Sequence, residues 1–164
     1  MSERFVDNGD GSISDNVTGL MWPKQDSWLD MGKFLTYRQA KKYANKKNEE
    51  SFAGHSDWRF PSKEEANSLY FREKEFSIID RYEMQIYIHP VFTEGCGHSS
   101  WTSHTRGKIT AYVYSFVSGT GGHYEVDDSL DTSVRLVRGK FDDNQLEKFA
   151  KVPPKKGMIL MDRK

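Results

Sequence analysis

The sequence has little of what disulfide-stabilised, membrane-spanning or strongly charged proteins are built from. It contains one cysteine, Cys96, so no internal disulfide can form. It has no uninterrupted run of about 18 apolar residues, the length that a membrane-spanning helix requires. Lysine plus arginine equals aspartate plus glutamate at 24 each, whereas nucleic acids and anionic membranes select a basic surface. We therefore expect no nucleic-acid partner and no membrane insertion.

The first residues also lack the apolar core of a secretory signal peptide, since Met1 to Phe5 are mainly polar. As written, the chain is expected to be cytoplasmic. If an export signal has been removed, the protein would be extracellular. The sequence does not separate these two possibilities.

Aromatic residues are plentiful, with 10 Phe, 8 Tyr and 4 Trp in 164 residues. This length fits one domain, which can bury about 70% of its unfolded surface and needs no metal or disulfide to fold. Large aromatic side chains favour strands and cores. We predict one soluble, β-rich domain. Its predicted core residues, expected to be buried and mutually close, are Trp22, Trp58, Trp101, Phe116 and Leu136.

The first 22 residues predict two antiparallel hairpins. Residues 5–7 and 12–14 flank Asn8-Gly9-Asp10-Gly11, and Asn-Gly and Asp-Gly supply the positive φ angles that tight turns need. A second turn at 16–19 leads into Leu20-Met21-Trp22. The acidic residues here do not form a calcium loop. Counting from Asp7, glycines occupy positions 3 and 5, where an EF-hand needs oxygen ligands, and Thr18 stands at position 12, where it needs a glutamate.

Two helices are predicted from capping boxes, Thr36 to Gln39 and Ser62 to Glu65. In each, a hydroxyl caps the first turn and a Gln or Glu follows three residues on. Residues 71–98 are irregular, with short apolar runs whose secondary structure the sequence does not decide.

The last third of the chain predicts strands again. Residues 100–103, 111–117 and 134–139 are the candidates, and 111–117 is apolar on both faces, which predicts a central strand. The intervening loops are 104–108 and 119–131. Beyond residue 139 we predict a short helix over 142–150 and an apolar tail, Met158 to Met161, that docks as a strand on its own sheet edge or on a neighbouring subunit.

Four segments in this order resemble one bacterial family, the Lcl C-terminal-like domain, long catalogued as a domain of unknown function. They are residues 4–22 (RFVDNGDG with DNVTGLMW), 56–62 (SDWRFPS), 100–103 (SWTS) and 134–139 (VRLVRG). The resemblance implies a domain over residues 1–139, followed by a C-terminal extension over 140–164.

The resemblance also implies an α+β fold of the C-type lectin-like kind. In that fold, two helices pack on small antiparallel sheets beneath an irregular loop region. Related folds serve as adhesins, carbohydrate binders and phage receptor-binding tips, and formylglycine-generating enzymes share the broad architecture. We therefore expect a non-enzymatic recognition or adhesion module that binds carbohydrate or protein through its loop face.

The loop richest in ligand-capable side chains contains His123, Tyr124, Asp127 and Asp128. A tyrosine face can stack on a sugar ring while carboxylates accept hydrogen bonds from its hydroxyls. We predict these four residues as the ligand-binding site, with Trp101 and Arg106 as outer contacts. The alternative is a polar turn with no ligand.

Two other functions remain open. An enzyme on a formylglycine-generating-like scaffold would use Cys96 with His98, but no partner cysteine or orienting third group accompanies them. A structural or assembly subunit would use the apolar tail, giving a homo-oligomer. We expect no catalytic residue, no cofactor and no metal, although the acidic loop leaves calcium as an untested alternative.

Overall fold

The N-terminal sheet has the predicted hairpin order. A computed structural model describes residues 3–146 of the chain. Strands β1 (Phe5–Asp7), β2 (Ser12–Asp15) and β3 (Met21–Pro23) pair antiparallel with β2 in the centre. The turn carboxylates bind partners within the chain, since Asp7 pairs with Lys24 at 2.8 Å and Asp10 accepts from the Ser12 hydroxyl at 2.6 Å. These hydrogen bonds hold the predicted hairpin turns.

Three short helices follow. Helix α1 (Ser27–Met31) was not predicted, and Asp26 caps it. Helix α2 (Tyr37–Glu49) and helix α3 (Lys63–Asn67) begin at the two predicted capping boxes, which both form in full. The local sequence therefore sets where these two helices start, and α3 ends after five residues.

The remaining strands form two further antiparallel sheets. Strands β4 (Ile78–Ile79) and β5 (Gln85–Ile86) make a two-stranded ribbon in the irregular region. Strands β6 (Ser99–Arg106), β7 (Thr110–Ser115) and β8 (Gly121–Glu125) form the third sheet. Strand β7 is central, as predicted. Residues 3–146 therefore form a mixed α+β structure with three small antiparallel sheets.

Three predicted boundaries in this part of the chain are wrong. His104 to Arg106 belong to β6, so the loop before β7 is shorter than predicted. Gly121 and Gly122 begin strand β8, because pairing with β7 satisfies their backbone groups. Residues 134–139 form no strand, and their ladder-type pairing is limited to single bridges at Val137 and Arg138.

The five predicted core residues are all buried, but they do not form one cluster. Trp22 and Phe116 belong to one apolar cluster with the β4–β5 region, and Trp58, Trp101 and Leu136 belong to another beneath α2. The two clusters arise because alternate residues of β7 face opposite sides of its sheet. The expectation that all five are mutually close is therefore corrected.

The predicted helix over 142–150 and the apolar tail at 158–161 lie largely or wholly outside the described residues. Their predicted roles stay predictions. None of the described helices has both the length and the apolar character needed to cross a bilayer.

Candidate functional site

Two adjoining depressions on the protein share Tyr37 and Lys41 as lining residues, and we call them together the α2 groove. Their volumes are about 550 and 340 Å³. Helix α2 forms one wall, and the region around the β6–β7 hairpin forms the other. The further lining residues used below are Arg38, Asn45, Arg59, Ser103, Lys108 and Asp127. Ligand sites are usually concave and largely preformed, so this groove is the first candidate.

Tyr37 stands between the two depressions in a fixed position. Its backbone amide donates to the carbonyl of Val126 at 3.0 Å, which ties the start of α2 to the segment after β8. Its ring packs edge-on against Phe60 and Trp101, with centroid distances of 5.1 and 5.4 Å. Burial raises the pKa of Tyr37, so its hydroxyl keeps its proton at neutral pH. The groove therefore presents a rigid aromatic edge and a neutral hydroxyl.

Three cations of the groove, Arg38, Lys41 and Lys108, form no ion pair with any residue from 3 to 146. The Lys41 ammonium lies 5.3 Å from the centroid of the Tyr37 ring, within cation–π range. The carboxylate in the lining is Asp127. The groove therefore carries an excess of positive charge, although the whole chain is neutral.

Arg59 also lines the groove, but its charge is already balanced. Its guanidinium donates to both carboxylate oxygens of Glu65, at 2.7 and 2.8 Å, and to the carbonyl of Gly139 at 2.8 Å. This arginine joins α3 to the end of the domain. We therefore assign it to the framework of the groove.

Neutral hydrogen-bonding groups complete the lining. Ser103 reaches the groove from an irregular part of β6, where the three residues between Trp101 and Thr105 oppose the single residue Tyr112 of β7. The Ser103 amide donates to the carbonyl of Pro61 at 2.8 Å, and the residue is exposed. Asn45 on α2 is exposed as well. The bulge therefore adds a polar residue to a wall that is otherwise aromatic and cationic.

A family model described as the Lcl C-terminal domain matches residues 11–138, most of the chain. The chain belongs to the Lcl C-terminal domain family. No curated protein matches it significantly. The match contains every residue of the α2 groove and ends one residue before Gly139, close to the domain boundary predicted from the sequence.

In this Lcl C-terminal domain, His123 and Tyr124 point to opposite faces of the third sheet. His123 pairs with Tyr112, and Tyr124 pairs with Ala111, which belongs to the cluster beneath α2. The His123 ring lies 5.7 Å from that of His104, and partial burial and neighbouring cations lower the pKa of His123. The structure therefore places these two predicted contacts on opposite faces of the sheet.

The two predicted aspartates also separate. Asp127 lines the α2 groove. The Asp128 carboxylate accepts from the amide of Leu130 at 2.8 Å, as expected of a turn residue. The structure thus places one of the four loop residues in the groove and gives another a local structural role.

The two predicted outer contacts lie in different environments. The Trp101 side chain has no exposed surface, and its indole nitrogen donates to the carbonyl of Leu35 at 2.9 Å. The sequence analysis predicted Trp101 both as a core residue and as an outer ligand contact. Its burial agrees with the first prediction and corrects the second. Arg106 is exposed at the end of β6, on the face that His123 shares.

Cys96 is fully buried in an apolar cluster, and burial raises the pKa of its thiol to about 11. His98 faces two carboxylates, with its ring nitrogens 3.6 Å from Asp80 and 3.9 Å from Asp131. Within residues 3–146, no group of three or more His, Cys, Asp or Glu side chains is placed to hold a metal ion.

Sequence reasoning missed most of the groove. Neither Tyr37 nor Arg38 was predicted as a ligand contact. Their common signal is an aromatic residue followed by cations one and four positions later, near a helix start. These residues line a groove only because the β6–β7 hairpin lies beside the start of α2 in the fold.

Proposed function

We propose that this Lcl C-terminal domain is a non-enzymatic recognition module that binds an acidic carbohydrate chain in the α2 groove. The observation that carries the proposal is the set of three cations without ion-pair partners among the described residues, Arg38, Lys41 and Lys108, around the fixed ring of Tyr37. Sugar carboxylates accept hydrogen bonds from such groups, and sugar rings pack against aromatic side chains.

The shape of the groove favours a chain over a single sugar. Its two depressions continue past Tyr37 and Lys41, so a ligand that fills both must pass these residues. Asn45 and Ser103 lie in one depression, where they can bind hydroxyl groups. The cations Arg38 and Lys108 lie in the other, where they can bind carboxylates.

Two features of the rest of the molecule are consistent with recognition without catalysis. The Cys96 thiol is buried and remains protonated at neutral pH, whereas a nucleophilic cysteine needs a lowered pKa. Packing of α2 on a three-stranded antiparallel sheet, with the irregular region 71–98 elsewhere, fits the finer assignment of a C-type lectin-like fold. That assignment is part of the proposal.

The test is isothermal titration calorimetry with an oligogalacturonate, compared with a neutral oligogalactan of similar length. We expect binding of the acidic chain alone, weakened by salt because exposed charges are screened. Lys41→Gln should weaken binding about tenfold, as expected for loss of a charged hydrogen-bonding group. Lys46→Gln is the matched control, because Lys46 is an exposed lysine of the same helix outside the groove lining.

Equal binding of the acidic and neutral chains, or equal loss in the two lysine variants, would contradict the proposal. Binding of neither chain would also contradict it. If an acidic peptide of the same charge binds at the groove more tightly than the oligogalacturonate, the ligand is a protein segment and the carbohydrate assignment is wrong.

A further inference from the structure

On another part of the surface, an arginine is held between two aromatic rings. The guanidinium carbon of Arg81 lies 4.1 Å from the centroid of the Trp28 ring and 4.8 Å from that of Tyr82. Phe34 lies beside both rings, with its centroid 4.8 Å from Trp28 and 6.3 Å from Tyr82. These contacts bring α1, the loop after it and the β4–β5 turn together around one charge.

The backbone of the β4–β5 turn fixes this arrangement. One carboxylate oxygen of Asp80 accepts from the amides of Tyr82 and Met84, at 2.9 and 2.8 Å. The amide of Arg81 donates to the carbonyl of Cys96 at 2.8 Å. Asp80 and Cys96 are both buried, so the turn is attached to the core. The turn that carries Arg81 and Tyr82 is therefore rigidly attached to the core. Its backbone has little conformational entropy to lose when a ligand binds.

The guanidinium carbon of Arg81 lies over both rings, and its N–H groups remain available to a ligand. The Arg81 side chain is exposed and has no hydrogen bond or ion pair with any residue between 3 and 146. A guanidinium edge presents paired N–H groups whose spacing matches the two oxygens of a carboxylate. Stacking on aromatic rings holds that fork in place before a ligand arrives.

Exposed apolar side chains belong to the same two elements, α1 and the β4–β5 turn, which distinguishes this surface from the α2 groove. Tyr82 is 50% exposed, and Met31 and Met84 are 46% and 42% exposed. Tyrosine, tryptophan, methionine and arginine are the residue types enriched where proteins bind partners. A ligand that suits this surface carries a carboxylate next to an apolar or ring-shaped group.

We propose that Arg81, held by Trp28 and Tyr82, is a second binding site, which recognises a carboxylate attached to an apolar or ring-shaped group. Two sources carry this chemistry, a peptide carboxylate beside an apolar residue and the uronate of a sugar. The site shares no residue with the α2 groove, so it stands or falls independently of the proposed function.

The test follows the side-chain Nε–Hε signal of Arg81 by NMR in the intact chain during three titrations. The probes are N-acetylphenylalanine, its neutral amide and glucuronate. We expect at least one carboxylate to shift the Arg81 signal, and the neutral amide to bind at least about tenfold more weakly than N-acetylphenylalanine. A stronger response to N-acetylphenylalanine identifies a peptide source, and a stronger response to glucuronate identifies a uronate source.

Two variants separate this site from general charge effects. Arg81→Lys keeps the charge but removes the planar fork, and should weaken carboxylate binding about tenfold. In both variants and the parent, this binding is followed by the indole N–H signal of Trp28, which lies beside Arg81. Arg72→Lys is the matched control, an exposed arginine in the same irregular region that should bind as the parent does. Circular dichroism verifies that both variants fold. The proposal is overturned if no carboxylate shifts Arg81, if the amide binds equally well, or if Arg81→Lys binds like the parent.

Discussion

The Glu65 carboxylate accepts two hydrogen bonds from the Arg59 guanidinium, at 2.7 and 2.8 Å. The same carboxylate accepts from the amide of Ser62 at 2.8 Å and so completes the capping box of α3. Glu65→Gln retains an acceptor for the Ser62 amide but removes the charge facing Arg59. We expect the free energy of unfolding to fall by about 2 kcal/mol, measured by urea denaturation at neutral pH.

The same pair predicts a pH dependence. Burial acts to raise the pKa of Glu65, but the hydrogen bonds from Arg59 and Ser62 outweigh it, and the pKa lies below its usual value. Its stabilising effect is therefore present above about pH 4.3, the value for an exposed glutamate, and is lost as the pH falls through the lower folded pKa. The difference in stability between parent and Glu65→Gln should shrink over that range. A constant difference would contradict the assignment.

Removing Trp58 should destabilise the fold more than any surface change. Its side chain is buried beneath α2, and its indole nitrogen donates to the carbonyl of Phe52 at 3.0 Å. Trp58→Ala loses this burial and leaves a cavity, which costs about 3–5 kcal/mol. Thermal unfolding followed by circular dichroism measures the loss. A melting temperature within about two degrees of the parent would show that Trp58 is not part of the core.

The elements that the sequence predicted well are those whose conformation is determined by residues adjacent in the sequence. The capping boxes at Thr36 and Ser62 fix two helix starts within four residues each. The glycines at 9 and 11 adopt positive φ angles, as the first hairpin turn requires. These features need no knowledge of the rest of the fold, and so the sequence was sufficient for them.

The elements that were missed depend on partners far along the chain. Helix α1 has only five residues, and its cap Asp26 also binds the amide of Gly97 and the hydroxyl of Ser133. Strand β8 begins with two glycines that favour a turn until β7 pairs with them. Arg81 meets Trp28 across 53 residues of sequence. No local sequence pattern contains these long-range contacts, so the sequence alone did not predict them.

The buried thiol of Cys96 should be unreactive in the folded protein. Its pKa is raised to about 11 and its side chain has no exposed surface, so the reactive thiolate is scarce at neutral pH. We expect iodoacetamide to modify Cys96 only after denaturation, as measured by mass spectrometry. Cys96→Ser should leave ligand binding largely intact. Loss of function in a folded Cys96→Ser protein would instead support the enzyme hypothesis.

The last prediction separates the two aspartates that the sequence grouped together. Asp127 is the carboxylate in the lining of the cationic α2 groove, where it opposes an acidic ligand. Asp127→Asn should therefore strengthen oligogalacturonate binding by up to about fivefold, since one charge at about 4 Å in water contributes ~1 kcal/mol. Calorimetry at low ionic strength measures the gain, and added salt should reduce it.

Asp128→Asn is the matched control for that experiment. Asp128 accepts the Leu130 amide within its own turn and does not line the groove, so its charge should have less effect on binding. Asp128→Ala, which removes the acceptor as well, should lower stability by about 1 kcal/mol. If both Asn variants strengthen binding equally, the effect belongs to the net charge of the chain. If Asp127→Asn weakens binding, the carboxylate itself contacts the ligand, as the sequence analysis predicted, and the ligand is not an acidic chain.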